Sequence, residues 1–516
     1  MLAKLSPRSI LLIIVSAIFG RAATALSQVI AAIYLSPTDF GIYATASGFM
    51  LVTTALRAGG SGNHFPTMTI EEFHRDGPRI FWYSMRFVLF GLITSAIVAW
   101  PVSLWVSANQ DYSPRLLVLT MAALAGNFIL FNVACYPRYF MLAHGRIKEL
   151  SAIESVMGAG KLLSTWLLAS AGEGPLALAL AIFFSEAIET VWAWARARVP
   201  LRFDAPHAGW FWQTLRDMIG PLSLALLAAV GGPTDSLIGS WVLPVSALGV
   251  YYFTTQLASQ PAILAGSSIR SLFSIAAATS RGHAVKEAES LRLVFNGSMV
   301  FIPLITMFIP AIFEPVERAI WSGKWAMGVW PVRIFSIAMI YPTALQLLSA
   351  PVAGLRQWRL AIRIDLVRSV PKLLAALLAL LVLPFVASDP AESINVFTIL
   401  VSVFMAGAAT WELFRIMQSA RMTRATALYE LYSTPLAAIL SAFAAAGLSR
   451  SLVEPLAPHL DVRIGALAEA GLAGAVYICL SFVLLRFGYT QTLERLIEAL
   501  PEFLRASARR MLFLGA

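Results

Sequence analysis

Arginines inside otherwise apolar runs are the residues here whose type and position could do chemistry. Arg21 lies near the middle of an apolar run at 10–34, Arg57 in the last third of a run at 41–62, and Arg270 at the end of a later run at 246–269. An arginine at membrane depth costs at least about 2.5–3.5 kcal/mol on insertion scales unless it faces protein or a wet cavity. A guanidinium fork keeps its proton and takes phosphate oxygens two at a time, so arginines along one path could carry an anionic group out of water. For Arg270, close to the interface, a snorkelling side chain is the competing reading.

The carboxylates have two readings as well. Glu186 and Glu189 stand in the sixth apolar run and Lys161 in the fifth. They could pair with one another, or the glutamates could form a proton or cation site. Asp235 follows Gly231, Gly232 and Pro233, a break that could leave carbonyls facing a cavity. Asp39 sits in the polar corner LSPTDFGIY, where composition favours a turn or helix-cap role. Lys372 and Arg333 lie near run ends and read as snorkelling. Cys135 and Cys479 are inside apolar runs and the six histidines form no spaced cluster, so no metal site or disulfide framework is expected. No nucleophile or phosphate-loop motif appears, and no cofactor is expected.

The elements that must position these residues follow from composition. Hydrophobic residues are 58% of 516, charged residues only 13%; a chain this apolar belongs in a bilayer. About 20 apolar residues span the hydrocarbon core. By that length the runs 10–34, 41–62, 80–107, 116–142, 152–171, 175–195, 218–242, 246–269, 293–313, 329–354, 366–387, 394–416, 430–448 and 464–486 predict about fourteen transmembrane helices, an all-α polytopic membrane protein. Lys4 and Arg8 precede the first run without a small-residue cleavage site, so it reads as a retained helix rather than a signal peptide. The net charge of +10 would suggest nucleic acid in a soluble chain, but here it follows the loops. With a cytoplasmic N-terminus, every inside loop is basic, while the outside loops hold only Arg115, Arg318, Lys324, Arg450 and Arg463. That asymmetry places both termini in the cytoplasm.

Two segments read as interfacial. Trp210, Phe211 and Trp212 precede a helix as an aromatic belt does. Beyond Arg486, Leu493, Leu496, Ile497 and Leu500 recur at helical spacing among arginines, which suits a helix lying on the anionic inner leaflet. An internal repeat is also legible: LSPTDFGIY at 35–43 reappears as LPVSALGVY at 243–251. Six helices separate the copies, so the halves are parallel and related by an axis along the membrane normal. The chain then divides into an N-terminal lobe at 1–200 (helices 1–6), a C-terminal lobe at 201–425 (helices 7–12), two further helices at 426–487 and a cytoplasmic amphipathic basic tail at 488–516. In an alternating-access cycle the corners at Pro37 and Pro244 would part outside. The small-residue ends at Gly59–Gly62 and Gly266–Ser268 would part inside.

With two six-helix lobes plus two helices, the corner LSPTDFGIYATASGF and the stretch LGVYYFTTQLASQPAILAGSSIRSLFSIAAATSR at 248–281, the chain resembles the Wzx-type polysaccharide flippases. These belong to the multidrug/oligosaccharidyl-lipid/polysaccharide (MOP) exporter superfamily. The resemblance implies transport of an undecaprenyl-diphosphate-linked oligosaccharide from the cytoplasmic to the periplasmic leaflet of a bacterial inner membrane. Membrane lipids would be partners, with a polysaccharide polymerase and a chain-length regulator beside them. Coupling would come from protons, sodium ions or the membrane potential. In the lipid II branch of that superfamily, arginines of helices 1, 2 and 8 and an aspartate just after helix 1 line or guard the cavity. The matching positions are Arg21, Arg57, Arg270 and Asp39, with one arginine in helix 1 where that branch has two. A cation-coupled drug or metabolite antiporter on the same fold is the second reading, and it would need buried carboxylates where this chain has arginines. A membrane polymerase or ligase is third, because the outside loops are short.

Overall fold

Without water in the bilayer core, backbone polar groups must be satisfied within their own segment. The computed structural model accordingly contains helices and no strand among its described residues. It describes residues 7–50, 57–65, 68, 70–109, 113–199, 209–232, 234–261, 284–355, 357–420, 422–455, 461–490, 493, 494 and 497. The helices are α1 (Pro7–Tyr34), α2 (Pro37–Phe49), α3 (Ile70–Asn109), α4 (Pro114–Ala143), α5 (Ile147–Ser170), α6 (Pro175–Ala197), α7 (Trp210–Val230) and α8 (Thr234–Val242). They continue with α9 (245–261), then α10 (Ala284–Thr306), α11 (Phe308–Val316), α12 (Val329–Gly354), α13 (Trp358–Val386), α14 (Pro390–Ser419), α15 (Arg424–Val453) and α16 (Val462–Gly488).

Each of the fourteen apolar runs is helical over all or part of its length. Among the described residues nine helices are long and apolar enough to cross a membrane by length and composition. The second run departs from the expected single helix. α2 ends at Phe49, and the chain resumes as a 3-10 turn at Arg57–Gly60 and a short helix at Ser61–His64. Gly59 and Gly60 have φ of 53° and 85°, a left-handed backbone that ends any α-helix. Hydropathy along a sequence does not register that change of backbone.

Two compact units are formed, Met1–Phe253 with Ala361–Phe397, and Thr254–Leu360 with Thr398–Ala516. This division by packing differs from the repeat-based segments 1–200 and 201–425, since α7, α8 and most of α13 pack with the first six helices. In the first unit α1 lies along α5, and α4 along α6. Gly20 and Gly158 bring α1 and α5 together: a Cβ on Gly158 would stand 2.8 Å from the Gly20 Cα. Small residues at such a seam let helix backbones approach closely in a membrane. Thr190 Oγ1 donates to the Leu130 carbonyl at 3.0 Å, and Trp194 Nε1 to the Val133 carbonyl at 3.1 Å, fastening α6 to α4. Phe65, Phe73, Phe81, Tyr83, Tyr136 and Trp210 form an aromatic cluster in the core of this unit.

In the second unit α15 packs on α16, and α10 on α12 and α15. Tyr477 of α16 donates its hydroxyl to the Leu304 carbonyl at 2.8 Å. Leu493 and Ile497, expected on the lipid surface, are buried against Phe301 and Leu485. The apolar face of the tail, where it is described, therefore docks on protein.

Candidate functional site

Three constellations in the first unit gather most of the residues that the sequence marks out. The first is the pair of repeated corners. Ser36 caps α2 in a reciprocal box: its hydroxyl accepts from the Asp39 amide at 3.2 Å, while Asp39 Oδ2 accepts from the Ser36 amide at 2.8 Å and hydroxyl at 2.7 Å. Such a box satisfies amides that a helix start leaves open. Asp39 thus has a capping role, with Oδ1 turned toward Gly174 at the head of α6.

The two corners pack on each other reciprocally. A Cβ added at Gly41 would collide with the Val245 carbonyl, and one added at Gly249 would collide with the Pro37 carbonyl. The repeat equates Pro37 with Val245 and Gly41 with Gly249, so each glycine meets the backbone position equivalent to its own neighbour's. This is the pattern of a local two-fold contact. Phe40 packs edge-on against Phe253 and Tyr43 against Tyr252, both with ring centroids 5.5 Å apart.

The second constellation is the break between α7 and α8. Asp235 is buried, 4% exposed, and its Oδ1 pairs with Lys372 Nζ of α13 at 2.9 Å. Its Oδ2 accepts from the Tyr251 hydroxyl at 2.6 Å. Lys372 also donates to the Gly232 carbonyl at 2.6 Å and the Gly231 carbonyl at 3.3 Å. The carbonyls freed by the break are therefore met by an ammonium group. Lys372, which sequence position assigns to the interface, instead turns inward, because Asp235 and two carbonyls offer it more than a headgroup layer would. One turn earlier, Ser369 Oγ donates to the Leu227 carbonyl at 2.7 Å.

The third constellation crosses α1, α4, α5 and α6. Arg138 donates to Glu189 Oε1 and to Glu154 Oε1, each at 3.0 Å. The Glu189 side chain is 2% exposed, which is tolerable only with a partner. Further along α5, Lys161 stands within electrostatic reach of Arg21 and Glu186. Arg21 itself is exposed on α1, beside the Gly20–Gly158 seam, and is not enclosed by the helix bundle. The alternatives for the glutamates thus separate: Glu189 is in an ion pair, and Glu186 neighbours a lysine.

Arg57 has its backbone in the 3-10 turn, and its side chain lies outside the described residues, as does Arg270 altogether. Sequence reasoning missed Arg138, although it lies in an apolar run as Arg21 does, and the same depth argument would have found it. It also missed the meeting of His74 with His144, whose Nε2 atoms are 3.2 Å apart across 70 residues of chain. Nothing in their spacing signals that contact.

Among families of known proteins, the one described as polysaccharide biosynthesis protein matches residues 13–329. No curated protein matches the chain. Among solved structures, the chain is similar to a lipid II flippase MurJ in an inward closed conformation. The TM-score is 0.62 at 10% identity, covering 92% of this chain and 99% of that one. It is also similar to a multidrug resistance MATE family transporter of the MOP superfamily in an inward-facing conformation, with a TM-score of 0.56 at 12% identity, covering 78% of this chain and 95% of that one. At these identities the likeness is one of fold.

Proposed function

Because the chain belongs to the polysaccharide biosynthesis protein family, we propose that it is a flippase. Its substrate is a polyprenyl-diphosphate-linked oligosaccharide, an exopolysaccharide, capsule or O-antigen repeat, which it moves from the cytoplasmic to the periplasmic leaflet. The fold, shared with a lipid II flippase and a MATE transporter, supports a transport role. The observation that carries the mechanism is the reciprocal contact of the repeated corners, Gly41 on the Val245 carbonyl and Gly249 on the Pro37 carbonyl. Two equivalent helix starts whose glycines let backbone meet backbone, flanked by paired rings, make a gate that either seals or parts as a unit. An alternating-access cycle needs such an element.

In this reading the lobes at 1–200 and 201–425 rock about a site that admits the diphosphate from the cytoplasm. Arg21 and Arg57, with Arg270, bind the headgroup through guanidinium forks. Asp39 holds the outer corner in shape, and Glu186, Glu189 and Asp235 tune or couple the cycle. The protein acts in a bacterial inner membrane with both termini cytoplasmic, beside a polysaccharide polymerase and a chain-length regulator. The test is complementation of cells lacking this chain. Arg21→Ala and Arg57→Ala should abolish surface polysaccharide at near-normal protein level, with lipid-linked oligosaccharide accumulating. Arg→Lys at either site should restore export only in part, because the bidentate fork is lost. Normal export by both alanine variants would remove the anionic-headgroup reading.

A further inference from the structure

The ammonium at the α7–α8 break has the surroundings of a bound cation. A protonated lysine has three donors and no acceptor. Lys372 meets three acceptors: Asp235 Oδ1 at 2.9 Å, the Gly232 carbonyl at 2.6 Å and the Gly231 carbonyl at 3.3 Å. One carboxylate oxygen with two carbonyls from the end of a broken helix is the oxygen set that broken membrane helices offer to small cations. The C-terminal end of α7 adds the negative pole of its dipole. The remaining carboxylate oxygen is taken by Tyr251 at 2.6 Å. Ser369 holds the preceding turn of α13 against α7 through the Leu227 carbonyl, at 2.7 Å. A Cβ added at Gly231 would run into the Ser369 hydroxyl, which would have to turn away and give up its bond to α7.

We propose that Lys372 is a tethered cation occupying what would otherwise be an alkali-cation site at the α7–α8 break, so that the transport cycle does not draw on a sodium gradient. The second half of that statement rests on the transport reading above; the first half does not. Lys372 is supplied by the same chain, always at full occupancy, and it joins α13 to α7 and α8 in a way that a free ion would not. Removing the side chain back to its Cβ should leave a polar cavity with its oxygen ligands in place, and a free cation should then bind.

The experiment measures the thermal midpoint of the purified full-length protein in detergent, in sodium, lithium, potassium or choline chloride at equal ionic strength. The wild type should have the same midpoint in all four salts. Lys372→Ala in choline should fall by roughly 5 °C or more, as expected when a buried carboxylate loses its partner. An alkali cation or ethylammonium should restore at least half of that loss. Adding Asp235→Asn should remove the restoration. Should Lys372→Ala fail to accumulate, its yield from membranes solubilised in ethylammonium chloride should recover; no recovery counts against the proposal. A folded Lys372→Ala that ignores every cation and the amine would make the lysine a strut and overturn the assignment. So would a wild type stabilised by sodium over choline through Asp235. Export equal in sodium-free and sodium-replete medium is the expected cellular result, and sodium-dependent export overturns the coupling statement. None of the detergent outcomes depends on the substrate, so the failure of Arg21→Ala to block export would leave them standing.

Discussion

Arg138 is the residue on which the charge arrangement of the first unit turns, since it joins Glu154 and Glu189. Arg138→Gln should destabilise the protein by about 2–3 kcal/mol, toward the low end for a broken buried pair because the arginine is itself one-third exposed. The expected readout is a thermal midpoint several degrees lower in detergent. Glu154→Gln, at a carboxylate 36% exposed, should cost well under half as much. Comparable losses would mean that Glu189 is not the partner that matters. At this scale the sequence displayed the buried charges but not their partners. Asp235 was visible beside a Gly-Gly-Pro break, yet Lys372 is 140 residues beyond Gly232, and a lysine near a helix end has a default destination in the headgroup layer. What overrides that default is an arrangement of carbonyls that exists only after α7, α8 and α13 have packed.

Among elements, the corner that starts α2 and the one that starts α9 make the firmest prediction. A Cβ at Gly41 or at Gly249 meets a backbone carbonyl rather than a movable side chain, so Gly41→Ala and Gly249→Ala should each keep the corner from sealing. Both changes open one interface, so their effects should be less than additive. The assay is bridging between Tyr43→Cys and Tyr252→Cys by a short bis-methanethiosulfonate, which joins the two thiols through reducible disulfides, in a background without Cys135 and Cys479. The parent rings lie 5.5 Å apart, so bridging should be efficient and should arrest export until reduced. Either alanine should reduce it at least several-fold, and undiminished bridging would mean that the glycines merely fill space. The repeat made this pairing partly legible, because Leu35, Gly41 and Tyr43 match Leu243, Gly249 and Tyr251 at a fixed offset. What it did not convey is that the copies touch. The break after α2 was half legible too: Gly59 and Gly60 were visible, but their left-handed backbone follows from packing, with a Cβ on Gly60 placed 2.7 Å from the Pro221 carbonyl carbon.

The whole molecule tests the helix count that everything else presupposes. The fourteen apolar runs coincide with helical segments, but nine helices meet a strict length and composition criterion among the described residues. The segments that fall short include those that carry breaks and charges: α2 with its 3-10 turn, α5 with Glu154 and Lys161, and α7 with α8 across Gly231 and Gly232. If all of these segments cross, the basic loops lie on one side and the chain begins and ends in the cytoplasm, as the positive-inside rule requires. Reporter fusions at Met1 and Ala516 should then read cytoplasmic, and fusions at Asp389 and Pro458 periplasmic. Should the break at Gly231–Gly232 turn the chain back instead, every fusion beyond it would invert. Ala516 would read periplasmic, and the first turns of α13, which hold Arg359 and Arg363, would face outside against their charge. Neutralising Lys4 and Arg8 should leave the topology unchanged, because the later basic loops each vote the same way. Inversion by that change alone would show that orientation rests on the first helix and that the downstream charges have another role.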